Sequence, residues 1–226
     1  MKKANKNPIM EWGFTRFNRL FLSFHFEHIR LWSRDAKPFR RRTLFLVNHS
    51  TWWDPLFIFY LNDRIIQSDG YAMMHEDGLK KHPFFQTIGG YSINGDDRRH
   101  VFESLNYSIE QLKDDKTVWI FPQGQEEHLE KRPLDFFSGT ALIAKRCPGV
   151  QVVPISLYYS LEHTRKPNAY IKIGESIDSN ALRSMNRKEL TLHFEEVCTA
   201  QLNELRKAVI EENHSVFEDL LNRKGG

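Results

Sequence analysis

An α/β fold is predicted by three observations. Apolar runs of strand length recur at residues 43 to 47, 117 to 121 and 150 to 158, each set off by Pro, Gly or polar turn residues. Segments with helical spacing alternate with them; the cleanest spans residues 98 to 113, where Val101, Phe102, Leu105, Ile109 and Leu112 share one face. Near the end, Phe194, Cys198, Leu202, Leu205 and Val209 repeat at the same spacing and predict a long helix from Asn186 onward. In folds of this class, reactive groups sit in the loops where strands end.

A chain of 226 residues is long enough to bury a full core. Its net charge of +3 conceals an uneven distribution: residues 1 to 42 hold eleven basic and three acidic side chains, so the rest is net acidic. A basic end on an acidic body suits an anionic surface, lipid headgroups or nucleic acid, and the acidic remainder disfavours nucleic acid. Cys147 and Cys198 form no spacing motif and suit reduced residues of a cytosolic chain. No run of about 18 apolar residues predicts a membrane span, and no apolar core with a small-residue cleavage site predicts a signal peptide.

In chain order, residues 9 to 32 read as one helix or a broken pair. They are dense in large residues (Met10, Trp12, Phe14, Phe17, Leu20, Phe21, Phe24) with Arg16, Arg19 and Arg30 between them. Apolar positions wider than one stripe fit either a helix lying in a bilayer interface or a first helix docked on the core. After Pro38 and the arginines at 40, 41 and 42 comes the strand 43 to 47. Asp54 and Pro55 then open a short helix to Leu61, with Asp54 as its N-cap. Residues 70 to 75 read as a strand, 79 to 87 as helical fragments broken by Pro83, and 91 to 93 as a short strand. After the helix 98 to 113 come the strand 117 to 121, a helix over 138 to 146, and strands over 150 to 158 and 169 to 173. Asn213 reads as a break before a last helix over 216 to 221.

Chemistry concentrates in two of these loops. In VNHSTWWDP, residues 47 to 55, His49 and Asp54 stand five residues apart, about 140° on a regular helix, so one helix alone cannot join them. They meet if His49 lies on a turn and Asp54 opens the helix behind it. Asp54 would then hold Nδ1–H and leave Nε2 to take a proton from a hydroxyl. The plainer alternative is that Asp54 only caps the helix. Ser50 beside His49 lacks a nucleophile-elbow context. In VWIFPQGQEEH, residues 118 to 128, a strand ends in Pro122, Gln123, Gly124 and Gln125, whose amides and backbone N–H groups can grip an oxygen-rich ligand. An ordinary Gly turn is the alternative. A third segment, VVPISL at 152 to 157, is a strand whose Pro154 shapes a wall or a strand end. His25 and His28 have a metal-site spacing without an acidic or Cys partner nearby, so no metal site is assigned.

Taken together, these blocks resemble the glycerolipid acyltransferases typified by lysophosphatidic acid acyltransferase. The family's H-x-x-x-x-D block corresponds to His49 through Asp54, preceded by Asn48. Its second block falls at Gly90 to Gly95, its F-P-E-G-T-R block at Phe121 to Glu126, and its V-P block at Val153 and Pro154. Residues 171 to 177, IKIGESI, match its late strand, and the likeness spans roughly residues 40 to 178.

Residue patterns outside the likeness predict an amphipathic, interfacial N-terminal helix (1–38) and a long C-terminal helical tail packed on the domain (181–226). The resemblance implies that the part between them, an acyltransferase α/β domain (39–180), has a mixed, partly curved β-sheet flanked by helices. It implies transfer of a fatty acyl group from coenzyme A or acyl carrier protein to a lipid hydroxyl, with no bound cofactor and no metal. His49 would be the general base and Asp54 its orienting partner. Asn48, Trp52, Arg98, Arg99, Gln123, Gly124 and Gln125 would bind acceptor or donor. The implied setting is cytoplasmic, peripherally attached to an anionic membrane surface.

The chain departs from the pattern where the family grips phosphate. Gly95 replaces the second-block Arg, and Gln123, Gln125 and Glu126 replace Glu, Thr and Arg of the third. Phosphate favours bidentate cations, so the expected acceptor is a glycolipid or another uncharged lipid alcohol. A catalytically silent, lipid-binding relative is the alternative.

Overall fold

The structure is a computed structural model and describes residues 1 to 33 and 41 to 221, apart from the side chains of residues 179 to 181. The expected boundary at residue 38, along with Arg34, Lys37 and Arg40, lies outside the described residues.

Helix α1 spans Pro8–His25, where Asn7 accepts from the N–H groups of Ile9 and Met10 and Pro8 pre-sets the first turn. It ends where Phe26 becomes extended, and strand β1 (Ile29–Ser33) follows. The helix expected to run to Trp32 is therefore too long. Residues 29 to 33 find a parallel partner, and Ile29, Leu31 and Trp32 are buried on pairing. The chain continues as β2 (Thr43–Val47), α2 (Asp54–Leu61), β3 (Gly70–His75), α3 (Glu76–Lys81), β4 (Gly90–Ile93), α4 (Arg98–Lys113) and β5 (Thr117–Ile120). It ends as α5 (Gly139–Arg146), β6 (Gln151–Ser160), β7 (Asn168–Ile173), α6 (Ser179–Ser184), α7 (Arg187–Ile210) and β8 (Glu218–Asp219). A last helix over 216 to 221 does not form. A short 3₁₀ turn, His214–Val216, leads instead into β8, whose backbone pairs antiparallel with β1.

Eight strands make one open mixed sheet in the order β4-β3-β5-β2-β6-β7-β1-β8. The first five run parallel, β7 is antiparallel to β6, and β1 is parallel to β7. Alternation along β2 assigns each face its helices. Leu44 and Leu46 join Val118, Ile120 and Val152 under α4, α5 and α7, contributing Leu105, Ile109, Ile143, Phe194, Cys198 and Leu202. Phe45 and Val47 face the other way, with Trp119, Val153 and Ile155 under α1 and α2, which supply Leu22, Leu56, Phe57 and Leu61.

The long C-terminal helix is thus half of the core's lid on one face. It opens with a capping box, in which Asn186 and Glu189 satisfy each other's backbone N–H groups. Its Gln201 donates to the Pro154 and Lys172 carbonyls and to Ser156 Oγ. Pro154 sits inside β6 rather than at a strand end. It stands just beyond the β7 ladder, where its carbonyl takes the Gly174 N–H.

Candidate active site

Because β2, β5 and β6 are adjacent and parallel, the loops leaving their C-terminal ends converge on one edge of the sheet. Asn48 continues β2 by one residue: its Oδ1 accepts from Leu157 N at 2.7 Å and its Nδ2 donates to Leu157 O at 3.0 Å. This imitates a backbone ladder with β6. Asn48, expected among the ligand-binding residues, is buried and clips β2 to β6 through both of its polar atoms.

The next seven residues form a tight corner. Asp54 N–H donates to Thr51 O and Trp53 N–H to Thr51 Oγ1, turning the chain back on itself before α2. The Asp54 side chain, fully buried, points into that corner. Oδ2 accepts from His49 Nδ1 at 2.8 Å, Ser50 N at 2.6 Å and Thr51 N at 2.9 Å; Oδ1 accepts from the Tyr159 hydroxyl at 2.6 Å. Asp54 is therefore not the N-cap of α2. It is the first helical residue, and its carboxylate serves the turn before the helix. A carboxylate only accepts, so in the neutral imidazole of His49 the proton is held on Nδ1 and Nε2 carries the lone pair. Nε2 has no hydrogen-bond partner among the described residues, and the side chain is 15% exposed. Ser50 Oγ is likewise without a partner, so no Ser–His pair exists.

The loop after β5 holds His49 from the other side. The Phe121 ring stacks on the imidazole, with centroids 4.2 Å apart and planes 19° from parallel. Gln123 is buried, and its Oε1 accepts His49 N–H at 2.6 Å, while Glu127 N–H donates to His49 O at 3.0 Å. The carboxamide N–H groups of Gln123 remain unpaired among the described residues. Gly124 has φ +73°, a left-handed conformation that favours glycine, and a Cβ there would come within 2.9 Å of the exposed Phe137 ring. Gln125 is exposed and donates to Glu127 Oε1 at 2.5 Å.

Trp52 is half exposed at the rim, against Trp53, which in turn meets Phe21, His25 and Phe26 of the first segment. Arg98 and Arg99 open α4, which follows β4, three strands along the sheet from β2. Arg99 is paired with Glu103 at 3.1 Å. Arg132, another candidate cation, donates from Nε to Asn203 and from Nη1 to the carbonyls of Leu129 and Lys131, while its buried Nη2 has no partner among the described residues. His25 and His28 are held separately, by Phe21 O and by Asp219. No group of three or more potential metal ligands occurs among the described residues.

Tyr159 is the participant that sequence reasoning did not identify. Burial, and then the charge of Asp54, push its hydroxyl pKa well above the usual phenol value, so it stays protonated and is always the donor. Spacing could not reveal it: it arrives on β6, 105 residues after Asp54. Phe121 stood inside the recognised third block, but its stacking on His49 depends on β5 lying beside β2.

Comparison with known proteins adds three findings. The family model described as Acyltransferase matches residues 28 to 158. No curated protein sequence matches the chain. Among solved structures, the chain is similar to the 1-acyl-sn-glycerophosphate (LPA) acyltransferase PlsC from Thermotoga maritima, with a TM-score of 0.63 over 86% of this chain and 79% of that one, at 21% identity. The fold is thus shared, although four residues in five differ. The matched segment covers more than half of the chain and includes His49, Asp54 and Gln123, and on that ground the chain belongs to the Acyltransferase family.

Proposed function

We propose that the protein moves a fatty acyl group from an acyl thioester, on coenzyme A or acyl carrier protein, to a hydroxyl of a lipid acceptor. The observation that carries this reading is the buried carboxylate that holds His49 with Nε2 unpartnered. The acceptor oxygen bonds to the thioester carbonyl carbon as Nε2 takes its proton. Collapse of the tetrahedral adduct breaks the C–S bond, and the imidazolium returns the proton to the departing thiolate. Ester and free thiol are the products, and no acyl-enzyme forms.

The acceptor is an uncharged lipid alcohol such as a glycolipid. Gln123 is bonded to the His49 backbone and, with Gln125 and Glu126, supplies no cation; Arg99 pairs with Glu103 and Arg132 bonds Asn203. With labelled acyl thioester and a panel of lipids, a glycolipid or neutral alcohol is expected to gain label at a higher kcat/KM than lysophosphatidic acid. The opposite ranking would overturn the acceptor assignment. Lipid binding with no transfer to any member of the panel would favour the silent relative instead.

Contact with an anionic membrane is proposed through α1. Ile9, Trp12, Phe17, Leu20 and Phe24 stand exposed on it, Leu20 at 72% and Phe24 at 73%, while Leu22 and Asn18 anchor the opposite side. Arg16 lies over the Trp12 ring and Lys166 over Phe24, cations at the edge of an apolar face. The rim tryptophan Trp52 touches Phe21 of the same helix, so a docked α1 would bring the corner to the lipid surface. No helix among the described residues is long and apolar enough to cross a membrane. Replacing Leu20 and Phe24 together by Ala is expected to weaken binding to anionic vesicles by about tenfold or more. Co-sedimentation checks this; unchanged binding would remove α1 as the contact.

A further inference from the structure

We propose that Tyr159 is a positioning residue for the dyad: its hydroxyl holds the Asp54 carboxylate in the plane that presents Oδ2 to His49, and it moderates how strongly that carboxylate stabilises the imidazolium. The inference rests on the acyl-transfer reading and deepens it. The geometry divides labour between the two carboxylate oxygens. Oδ2 is held by the turn that contains His49, through Ser50 N, Thr51 N and Nδ1. Those three donors all lie in one short loop, so they move with it. Among the described residues Oδ1 has one partner, and that partner comes from another element: the Tyr159 hydroxyl at 2.6 Å, near the end of β6. Rotation of the carboxylate about its Cβ–Cγ bond is therefore opposed from outside the loop by Tyr159.

The tyrosine is itself well held. Its ring packs on Phe26, 6.0 Å between centroids, and on Phe57 at 5.7 Å, so the hydroxyl is delivered by the core that joins α1's end, α2 and β6. Its neighbour Tyr158 points to the other face of the sheet, as strand alternation requires, and donates to Glu130 at 2.8 Å. Among the described residues, no titratable side chain apart from His49 and Tyr159 is hydrogen-bonded to Asp54. The hydroxyl withdraws charge from the carboxylate. Without it, Asp54 becomes a stronger partner for the imidazolium.

The test is Tyr159→Phe in the full chain, assayed for acyl transfer across pH with kcat and KM separated. A loss in kcat of about 10- to 100-fold at unchanged KM is expected, by analogy with removal of groups that orient a reactive side chain. The acid limb of kcat/KM should move to higher pH. Incorporating 3,5-difluorotyrosine at position 159 makes the hydroxyl a stronger donor without changing the packing greatly. It should move the same limb to lower pH, and it serves if the Phe variant fails to fold. Tyr158→Phe should leave both limbs and kcat in place. Unmoved limbs in the 159 variants, or a loss confined to KM, would overturn the proposal while leaving the dyad standing. Full activity in His49→Ala would instead sink the acyl-transfer reading beneath it.

Discussion

Replacing His49 by Ala is expected to lower the rate of acyl transfer by about 10²–10⁴-fold at neutral pH, with little change in the melting temperature. Among the described residues, the neighbouring groups at the corner are otherwise occupied or lack a base. Asp54 is fully buried with both oxygens occupied, Ser50 Oγ has no hydrogen-bond partner, and Gln123 Oε1 is bonded to the His49 backbone N–H. Stability should hardly respond. The imidazole contributes one hydrogen bond and one ring contact, and water can replace it above Phe121. Steady-state kinetics with a labelled thioester, beside a thermal melt, separates the two quantities. Undiminished turnover would mean that another group removes the acceptor's proton.

Asp54→Ala should be the more damaging change, because it loses activity and fold together. Four donors lose their acceptor at once: Nδ1 of His49, the backbone N–H groups of Ser50 and Thr51, and the Tyr159 hydroxyl. Removing one side of a buried charged arrangement typically costs about 3–5 kcal/mol. A large fraction of an ordinary domain's stability is of that size, so denaturant midpoints should drop clearly. Activity should fall at least as far as in His49→Ala, since the imidazole loses its orientation as well as its electrostatic support. The double variant His49→Ala/Asp54→Ala should be scarcely slower than either single one, as residues acting as a unit are non-additive. Additive losses would show that the two side chains act separately.

Much of this was legible in the chain. Helical spacing placed α4 and the start of α7, and Pro and Gly marked the ends of β5 and the turn at Gly124. Those features are local: a periodic apolar face or a left-handed turn is written in the residues that form it. The five-residue step from His49 to Asp54 also carried its own geometry, because a strand end followed by a helix start can bring such a pair together. The failures were of another kind. Residues 29 to 33 looked helical by composition, yet they form a strand because β7 offers them a parallel edge. Asp54 looked like a helix cap, yet it turns its carboxylate back to its own preceding loop.

What the sequence by itself determined is the proposed His49–Asp54 pair, the glycine turn beside it and the missing cations of the second and third blocks, all matters of residue identity at short range. The tertiary structure alone decided which groups complete the pair. Strand order sets β5 and β6 on either side of β2, and only that order brings Phe121 and Gln123 to His49 and Tyr159 to Asp54. The physical reason is distance along the chain. Contacts between residues 70 to 110 positions apart arise from burial of whole sheet faces, and no local periodicity encodes them.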